Sequence, residues 1–421
     1  MLARLITGLI TTLWFYFVLI LYYIILKTIS IFYYIYIKIK AITSKPGLIP
    51  LIFPFLAKNK WVERAKIIPD DRRIGNYVAI SENTAVILVP REIVPQSPLP
   101  QSAVRIYIRK NNNWKLQTKL FVPETQFVAV DDDIILAANR SLVNKDEQNV
   151  PIYIFTRSND TWSLPTQLIL PQPSEINFNV ATVALKADTA IFSVPRKVYV
   201  FRRQPDTNNW FYETELEKNG RTIAIDGNTI IVGQSKSAYV FVRDLATGNW
   251  SQQAELSPVA DDEKSPTNVD ICGNTAVVGR PGIQSRRGAV DVYERNPDTG
   301  DWSQRNRFFP SDVPWKVAYG FGGSVAINNN TIVVGASRKD IHDSMPMQLV
   351  KEKTAAYVIE RNSQTGKWSQ PIKLLPKDYK QVARGYAREV RIAGNKIIVT
   401  APAWNSNFAT DNVYIFERID S

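Results

Sequence analysis

One histidine, His342, and one cysteine, Cys272, are all that this 421-residue chain offers for imidazole or thiol chemistry. His342 lies near Asp340 and Asp343 in a polar stretch, the setting of a solvated loop and not of a base held against a nucleophile. Cys272 ends the apolar run of NVDIC with no base beside it, so it reads as a packed thiol in a strand. Two such side chains are too few for a zinc site, and one cysteine excludes an internal disulfide while suiting either redox compartment. Carboxylates are plentiful, yet Asp70-Asp71 and Asp261-Asp262-Glu263 fall in polar turns, and no spacing singles out a glycosidase pair. Asp131-Asp132-Asp133 sets three acids side by side where a calcium loop needs alternating oxygen ligands. The expectation is a chain that is not an enzyme and that holds no metal and no cofactor.

The tryptophans point elsewhere. Seven of the ten, Trp61, Trp114, Trp162, Trp210, Trp250, Trp302 and Trp368, recur at spacings of 40 to 66 residues. Between them an apolar hairpin returns seven times, starting at Tyr77, Phe127, Ala181, Thr222, Asn268, Phe321 and Glu389, with turns such as DGN and NNN between its two arms. An aromatic strand and a TG- or N-rich turn before Trp complete each unit. Each unit is therefore four antiparallel strands, A to D. One such sheet cannot bury both faces, whereas seven packed around an axis can. The fold expected is all-β, a seven-bladed β-propeller over residues 60–421, with the recurring tryptophans packed between blades and not stacked on sugars. The order of the pieces also predicts closure. KWVERAKIIP precedes the first strand A, and NVYIFERID has no Trp strand after it, so the N-terminal strand completes the blade begun by the C-terminal ones.

Residues 60–421 resemble the FG-GAP repeat propellers, the family of the integrin α-chain head and of many bacterial surface and periplasmic proteins. The matching residues are Phe321-Gly322 for the FG element and Gly335-Ala336-Ser337 for the GAP element, with weaker forms at Gly279-Arg280-Pro281 and Thr400-Ala401-Pro402. The resemblance implies a binding role and an exported propeller. Its members' Asp-x-Asp-x-Asp-Gly calcium loop has no counterpart in this sequence.

The first sixty residues contain no acid. Residues 5–26, LITGLITTLWFYFVLILYYIIL, are 22 uncharged residues, about 33 Å as a helix and enough to cross a bilayer core. They predict a single transmembrane helix within an anchor and juxtamembrane segment, residues 1–45, followed by a Pro-rich apolar linker at 46–59. The lysines after the span favour a cytoplasmic propeller by the positive-inside rule, while the family resemblance favours the extracytoplasmic side, which is the side we expect. The net charge of +12 comes largely from this segment: residues 1–62 hold seven Lys/Arg, leaving 44 basic against 39 acidic residues beyond. That balance gives no reason to expect nucleic acid.

In an up-and-down blade the A–B and C–D turns share one face of the disc, and the B–C and D–A connections share the other. Length varies on the second face, where segments 91–103, 139–150, 280–288, 337–354 and 403–412 are long B–C loops. Loops on a rigid scaffold are where binding concentrates. Basic groups gather there: Arg286-Arg287, Arg338-Lys339, Lys351 with Lys353, and Arg384, Arg388 and Arg391. Trp315, in a D–A connection, and Trp404, in a B–C loop, stand outside the repeat pattern. The expected ligand-binding residues are Trp315, Trp404, Arg286, Arg287, Arg338 and Lys339. The expected role is a membrane-anchored module for protein–protein interaction, adhesion or envelope assembly. The alternative is a carbohydrate-binding surface protein, and a propeller-scaffold hydrolase would require carboxylates around the central channel.

Overall fold

A computed structural model describes residues 60–68, 77–92, 101–123, 125–139, 152–168, 180–204, 206–207, 209–257, 268–283, 287–310, 312, 319–337, 354–379, 385–402 and 411–419. The chain divides into two units, Met1–Lys60 and Trp61–Ser421. The expected span at 5–26 and the linker at 46–59 lie outside the described residues; among the described residues no helix is long and apolar enough to cross a membrane.

The second unit is a seven-bladed β-propeller, all-β as expected. Strand β1 (Trp61–Ile67) comes first in the chain. Blade one follows as β2 (Val78–Ile80), β3 (Thr84–Glu92), β4 (Gln101–Lys110) and β5 (Asn113–Val122). Blade two is β6 (Thr125–Asp131), β7 (Ile134–Asn139) and β8 (Ile152–Ser158), with its strand D broken into β9 (Thr161–Trp162) and β10 (Thr166–Gln167). Pro165 lies in the break, where it donates nothing to a ladder. Blade three is β11 (Thr182–Lys186), β12 (Thr189–Val194), β13 (Lys197–Arg203) and β14 (Trp210–Leu216); blade four is β15 (Thr222–Asp226), β16 (Thr229–Gly233), β17 (Ala238–Arg243) and β18 (Trp250–Leu256). Blade five is β19 (Asn268–Cys272), β20 (Thr275–Arg280), β21 (Ala289–Arg295) and β22 (Trp302–Phe308); blade six is β23 (Phe321–Asn328), β24 (Thr331–Ala336), β25 (Ala355–Glu360) and β26 (Ile372–Leu374). Blade seven is β27 (Val390–Ala393), β28 (Lys396–Ala401) and β29 (Asn412–Arg418), completed by β1, which pairs β29 from Trp61↔Arg418 to Ile67↔Val413. Lys66 Nζ reinforces this closure with an ion pair to Asp378 at 2.6 Å, and Glu63 Oε2 accepts the Lys377 N–H at 2.7 Å.

Burial explains the strand types. Strand B is sandwiched by neighbouring blades on both faces, so β7, β12, β20, β24 and β28 are buried at every position and read as apolar segments with polar residues mostly at their ends. Strand D is the outer edge, and β18 alternates toward solvent in WSQQAEL. Seven apolar clusters join the blades in sequence, and the one made of Ile67, Ile398 and Val413 with Val78, Ile87 and Tyr107 closes blade seven onto blade one.

Each recurring tryptophan lies in the cluster joining its own blade to the preceding one. Its indole N–H reaches across. Trp162 donates to Gln117, Trp250 to Glu213 and Trp302 to Gln253, at 3.0 to 3.1 Å, and each acceptor stands three residues beyond the preceding blade's tryptophan. Where Pro165 or Arg305 occupies that position, no acceptor is present, and the Nε1 of Trp210 and of Trp368 is buried without a hydrogen-bond partner. Trp61 turns instead to Glu360 at 3.2 Å.

A second recurrence escaped the sequence reading. Strand C carries an arginine within one residue of its end in every blade: Arg109, Arg157, Arg203, Arg243, Arg295, Arg361 and Arg418. Each donates its peptide N–H to the A–B turn, at Asn83, Asp133, Asp188, Asn228, Asn274, Asn330 and Asn395 respectively. Each also stands opposite its blade's tryptophan, or, for Arg418, opposite Trp61.

The FG and GAP glycines sit where two blades approach most closely. Gly322, at φ 89°, would drive a Cβ to 2.6 Å from the Ala289 carbonyl oxygen, and Gly279 would drive one to 2.3 Å from the Gly322 oxygen. Gly335 meets the Ala387 oxygen in the same manner at 2.4 Å. The motif is thus a packing device, backbone against backbone, with no room for a side chain.

Candidate binding channel and loop face

The inner strands β2, β6, β11, β15, β19, β23 and β27 surround a central cavity of about 390 Å³. Each pairs with strand B on one side only, which leaves peptide groups along its other edge bordering the channel. One equivalent position of the inner strand is alanine in five blades, Ala79, Ala129, Ala184, Ala224 and Ala326. Blades five and seven replace it with Asp270 and Arg391. A charge inserted in an otherwise apolar strand was the sequence signal for this site.

Asp270 is held by backbone. Its Oδ2 accepts the N–H of Ile327 in blade six at 2.8 Å and its Oδ1 accepts that of Ile271 at 2.9 Å. Burial still pushes its pKa up, to about 6, against those two N–H groups and the Arg391 charge. Glu389 also lines the channel and is 7% exposed. Its Oε1 pairs with Arg391 Nη2 at 2.5 Å, and the Val78 peptide N–H of blade one also donates to its carboxylate. Burial raises the Glu389 pKa and lowers that of Arg388, a neighbour in the lining. Arg388 and Arg391, expected on the loop face, are channel residues. Arg221, Asn268, Thr182 and Thr222 complete the polar lining toward the D–A end.

At the opposite end, the residue that ends or directly follows an inner strand takes the turn N–H of the next blade in four blades. Ser81 accepts from Asp132, Asp131 from Ala187, Asp226 from Gly273, and the Cys272 sulfur from Asn329 at 3.3 Å. Cys272 is half-buried, packed against the apolar cluster between blades five and six, and burial raises its pKa. The acids Asp131 and Asp133 are engaged by Lys186 and Arg157. Among the described residues no cluster of three or more His, Cys, Asp or Glu side chains could hold a metal ion.

The B–C and D–A connections share the other face. Two are minimal, Pro195-Arg196 in blade three and 234–237 in blade four. Elsewhere the strands run further than the sequence suggested: β3 continues through Glu92 and β4 begins at Gln101, shortening the 91–103 loop. Arg280 is likewise not a loop residue. It is 1% exposed, and its Nε bonds Asp291 Oδ2 at 2.7 Å while Arg307 Nε bonds the other oxygen at 2.6 Å. Of the six expected ligand-binding residues, Trp315, Trp404, Arg286, Arg338 and Lys339 lie outside the described residues. Arg287 is described and turns inward: it is 6% exposed, donates from Nη2 to the Pro310 carbonyl at 2.8 Å, and lies 5.5 Å over the Phe309 ring. In this structure it ties a B–C segment to the end of strand D.

Residues 302–359, from strand D of blade five to strand C of blade six, match the FG-GAP repeat family. No curated protein matches the chain in sequence. Solved structures of similar fold include Kluyvelomyces marxianus Hsv2, at 10% identity over 78% of this chain and 90% of that one with a TM-score of 0.46. Saccharomyces cerevisiae Sqt1 is similar at 7% identity over 81% of this chain and 82% of its own, TM-score 0.47. The computationally designed Ika8 protein is similar at 11% identity over 84% and 99%, TM-score 0.45. A seven-bladed propeller with an FG-GAP repeat is, in general terms, the architecture of a protein-interaction module.

Proposed function

We propose that this chain is a membrane-anchored module that offers its B–C and D–A loop face to a protein partner, in adhesion or envelope assembly. The observation that carries this reading is the contrast between the two faces of the disc. On one face, seven A–B turns are capped alike by the peptide N–H of an arginine. On the other, connections range from the two residues Pro195-Arg196 to the segment 337–354. Uniform A–B turns on one face, set against B–C connections that range from two to eighteen residues on the other, suit recognition by loops. Binding without catalysis is the corresponding expectation for chemistry, supported by the engagement of Asp270 with two peptide N–H groups. Residues 5–26 supply the anchor in this reading, with the propeller on the extracytoplasmic side.

A photo-crosslinking side chain placed in living cells at position 339 or 404 should give a discrete protein adduct, while one at Asn228 in an A–B turn should give none. Adducts from Asn228 alone would overturn the assignment of the face. Digestion of the propeller by protease added outside an intact inner membrane, with a cytoplasmic protein spared, is the expected topology result. Protection of both would move the partner search to the cytoplasm.

A further inference from the structure

We propose that the crevice between blades five and six, on the outer side of the disc, takes a carboxylate from an acidic peptide segment of a protein partner, with that segment extended along the free edge of β22. This goes beyond the loop-face reading, since it uses neither the B–C nor the D–A connections.

Three observations converge. The crevice has a volume of about 370 Å³, within the range of ligand sites, roughly 300–1,000 Å³. Its lining holds two cations, Arg305 and Lys367, and one acid, Glu294. Arg361 already binds that acid at 3.0 Å, while Arg305 reaches it only at 3.9 Å with its side chain 58% exposed. Lys367 is exposed on the C–D turn of blade six. The crevice therefore presents positive charge that its own acid does not hold.

Trp368, in the same lining, has a buried indole N–H with no acceptor. In three blades the residue three beyond the preceding tryptophan turns to the next blade and accepts that N–H. Arg305 holds the position here and can only donate. Donors of Arg305 and Trp368 thus border one space with no oxygen to receive them, and a carboxylate brings two. Charge-assisted bonds of this kind are about twice as strong as neutral ones. The N–H is closed off in the free protein, so the guanidinium turns toward the entering carboxylate, a movement that its exposure and its long pair to Glu294 permit.

The edge of β22 supplies the third observation. It pairs with β21 on one side, and among the described residues no strand pairs its other edge, so its outward peptide groups can take an added strand. Its sequence WSQRNRF carries two arginines and no acid, whereas β14 and β18 carry glutamates and no base. Arg307 is bound by Asp291, which leaves Arg305 to select the incoming charge. An acidic segment is matched to this edge and disfavoured at the other two.

The test is fluorescence anisotropy of a labelled octapeptide of alternating threonine and glutamate, titrated with the full-length chain in a non-ionic detergent. The octapeptide of threonine and glutamine lacks the charge, and free glutarate lacks the extended backbone. Saturable binding of the acidic octapeptide with Kd at or below about 100 μM and at least tenfold weaker binding of both controls are expected. Arg305→Gln, which gives the indole an acceptor from within, should lower the affinity at least tenfold without lowering Tm, so a lost site is not mistaken for a lost fold. Lys115→Gln, on the basic outer strand β5, should leave binding unchanged. No saturable binding, equal binding of either control, an affinity that Arg305→Gln leaves intact, or an equal loss in Lys115→Gln would each overturn the proposal.

Discussion

The tryptophan latch allows a prediction in which a substitution should stabilise. In three blades the indole N–H has a Gln or Glu acceptor three residues beyond the preceding tryptophan. In front of Trp368 that position is Arg305, which offers only donors, and both side chains line one crevice together with Glu294 and Asn306. Trp368 Nε1 is buried and unmatched. Arg305→Gln places an acceptor where Gln253 stands in front of Trp302. A net hydrogen bond contributes about 0.5–1.5 kcal/mol, and relieving an unmet buried donor adds to this. The loss is small, because Arg305 reaches Glu294 only at 3.9 Å with its side chain 58% exposed, and Glu294 keeps Arg361 at 3.0 Å; such an exposed pair contributes about 0–1 kcal/mol. The net expected gain is about 1 kcal/mol. With an unfolding entropy of about 2.1 cal/mol/K per residue, a domain of this size should show a rise in Tm of about 1–2 °C. Urea denaturation should show the same gain as a shifted midpoint at unchanged slope. Gln253→Ala is the mirror experiment and should cost about 1–2 kcal/mol by stranding Trp302. A neutral or destabilising Arg305→Gln alongside a destabilising Gln253→Ala would refute the reasoning that the latch is transferable between blades.

Three further perturbations test other parts of the fold. Ala187 holds φ 47° at a turn position where Gly227, Gly273 and Gly394 hold φ 55°, so Ala187→Gly should stabilise by about 0.5–1 kcal/mol in chemical denaturation. Gly322→Ala forces a Cβ to 2.6 Å from the Ala289 oxygen at φ 89° and should destabilise by about 3 kcal/mol or more, read as a lowered Tm and loss of the blade five to blade six contact. Asp270 has a folded pKa of about 6, raised by burial from 3.8. The folded state therefore binds its proton more tightly than the unfolded state, and the contribution is stabilising below about pH 4 and lost as pH rises through 6. Relative to Asp270→Asn, the parent chain should lose on the order of 3 kcal/mol between those limits; parallel stability profiles for the two chains would show that Asp270 does not titrate as described.

The blades were legible because their signals are local. Strand B is buried along its length and mostly apolar since both faces are covered, most A–B turns carry glycine, asparagine or aspartate where φ is positive, and Trp stands at the start of strand D. Closure was legible from order alone, a Trp strand before the first hairpin and none after the last. The arginine near the end of each strand C was equally periodic, yet a charge near a strand end looks like solvation, and only the structure shows its N–H holding the preceding turn. The channel was hidden for a different reason: each blade contributes a few residues, separated by whole repeats. Asp270 in VDI and Arg391 in VRI, where other blades have alanine, were its visible trace. Arg388 and Arg391 were expected on the loop face because sequence distance to a loop does not tell a channel-facing residue from an outward one. Arg280 shows the same ambiguity, since its charge is matched by Asp291 in the interior.

Strand β1 is the first part of the propeller to leave the ribosome and the last to find its mate. Its partner β29 ends at Arg418, so at about 5–20 residues per second of synthesis the first strand waits roughly 20–70 s before it can pair. Neither the ring nor the cavity inside it can exist during that interval. A chain that stops short of β29 keeps two open sheet edges, one on β28 and one on β1, which are templates for aggregation or for capture by a chaperone. The seam between the chain ends thus acts as a proofreading step on the length of the polypeptide, admitting to the closed state only chains whose final strand has been made.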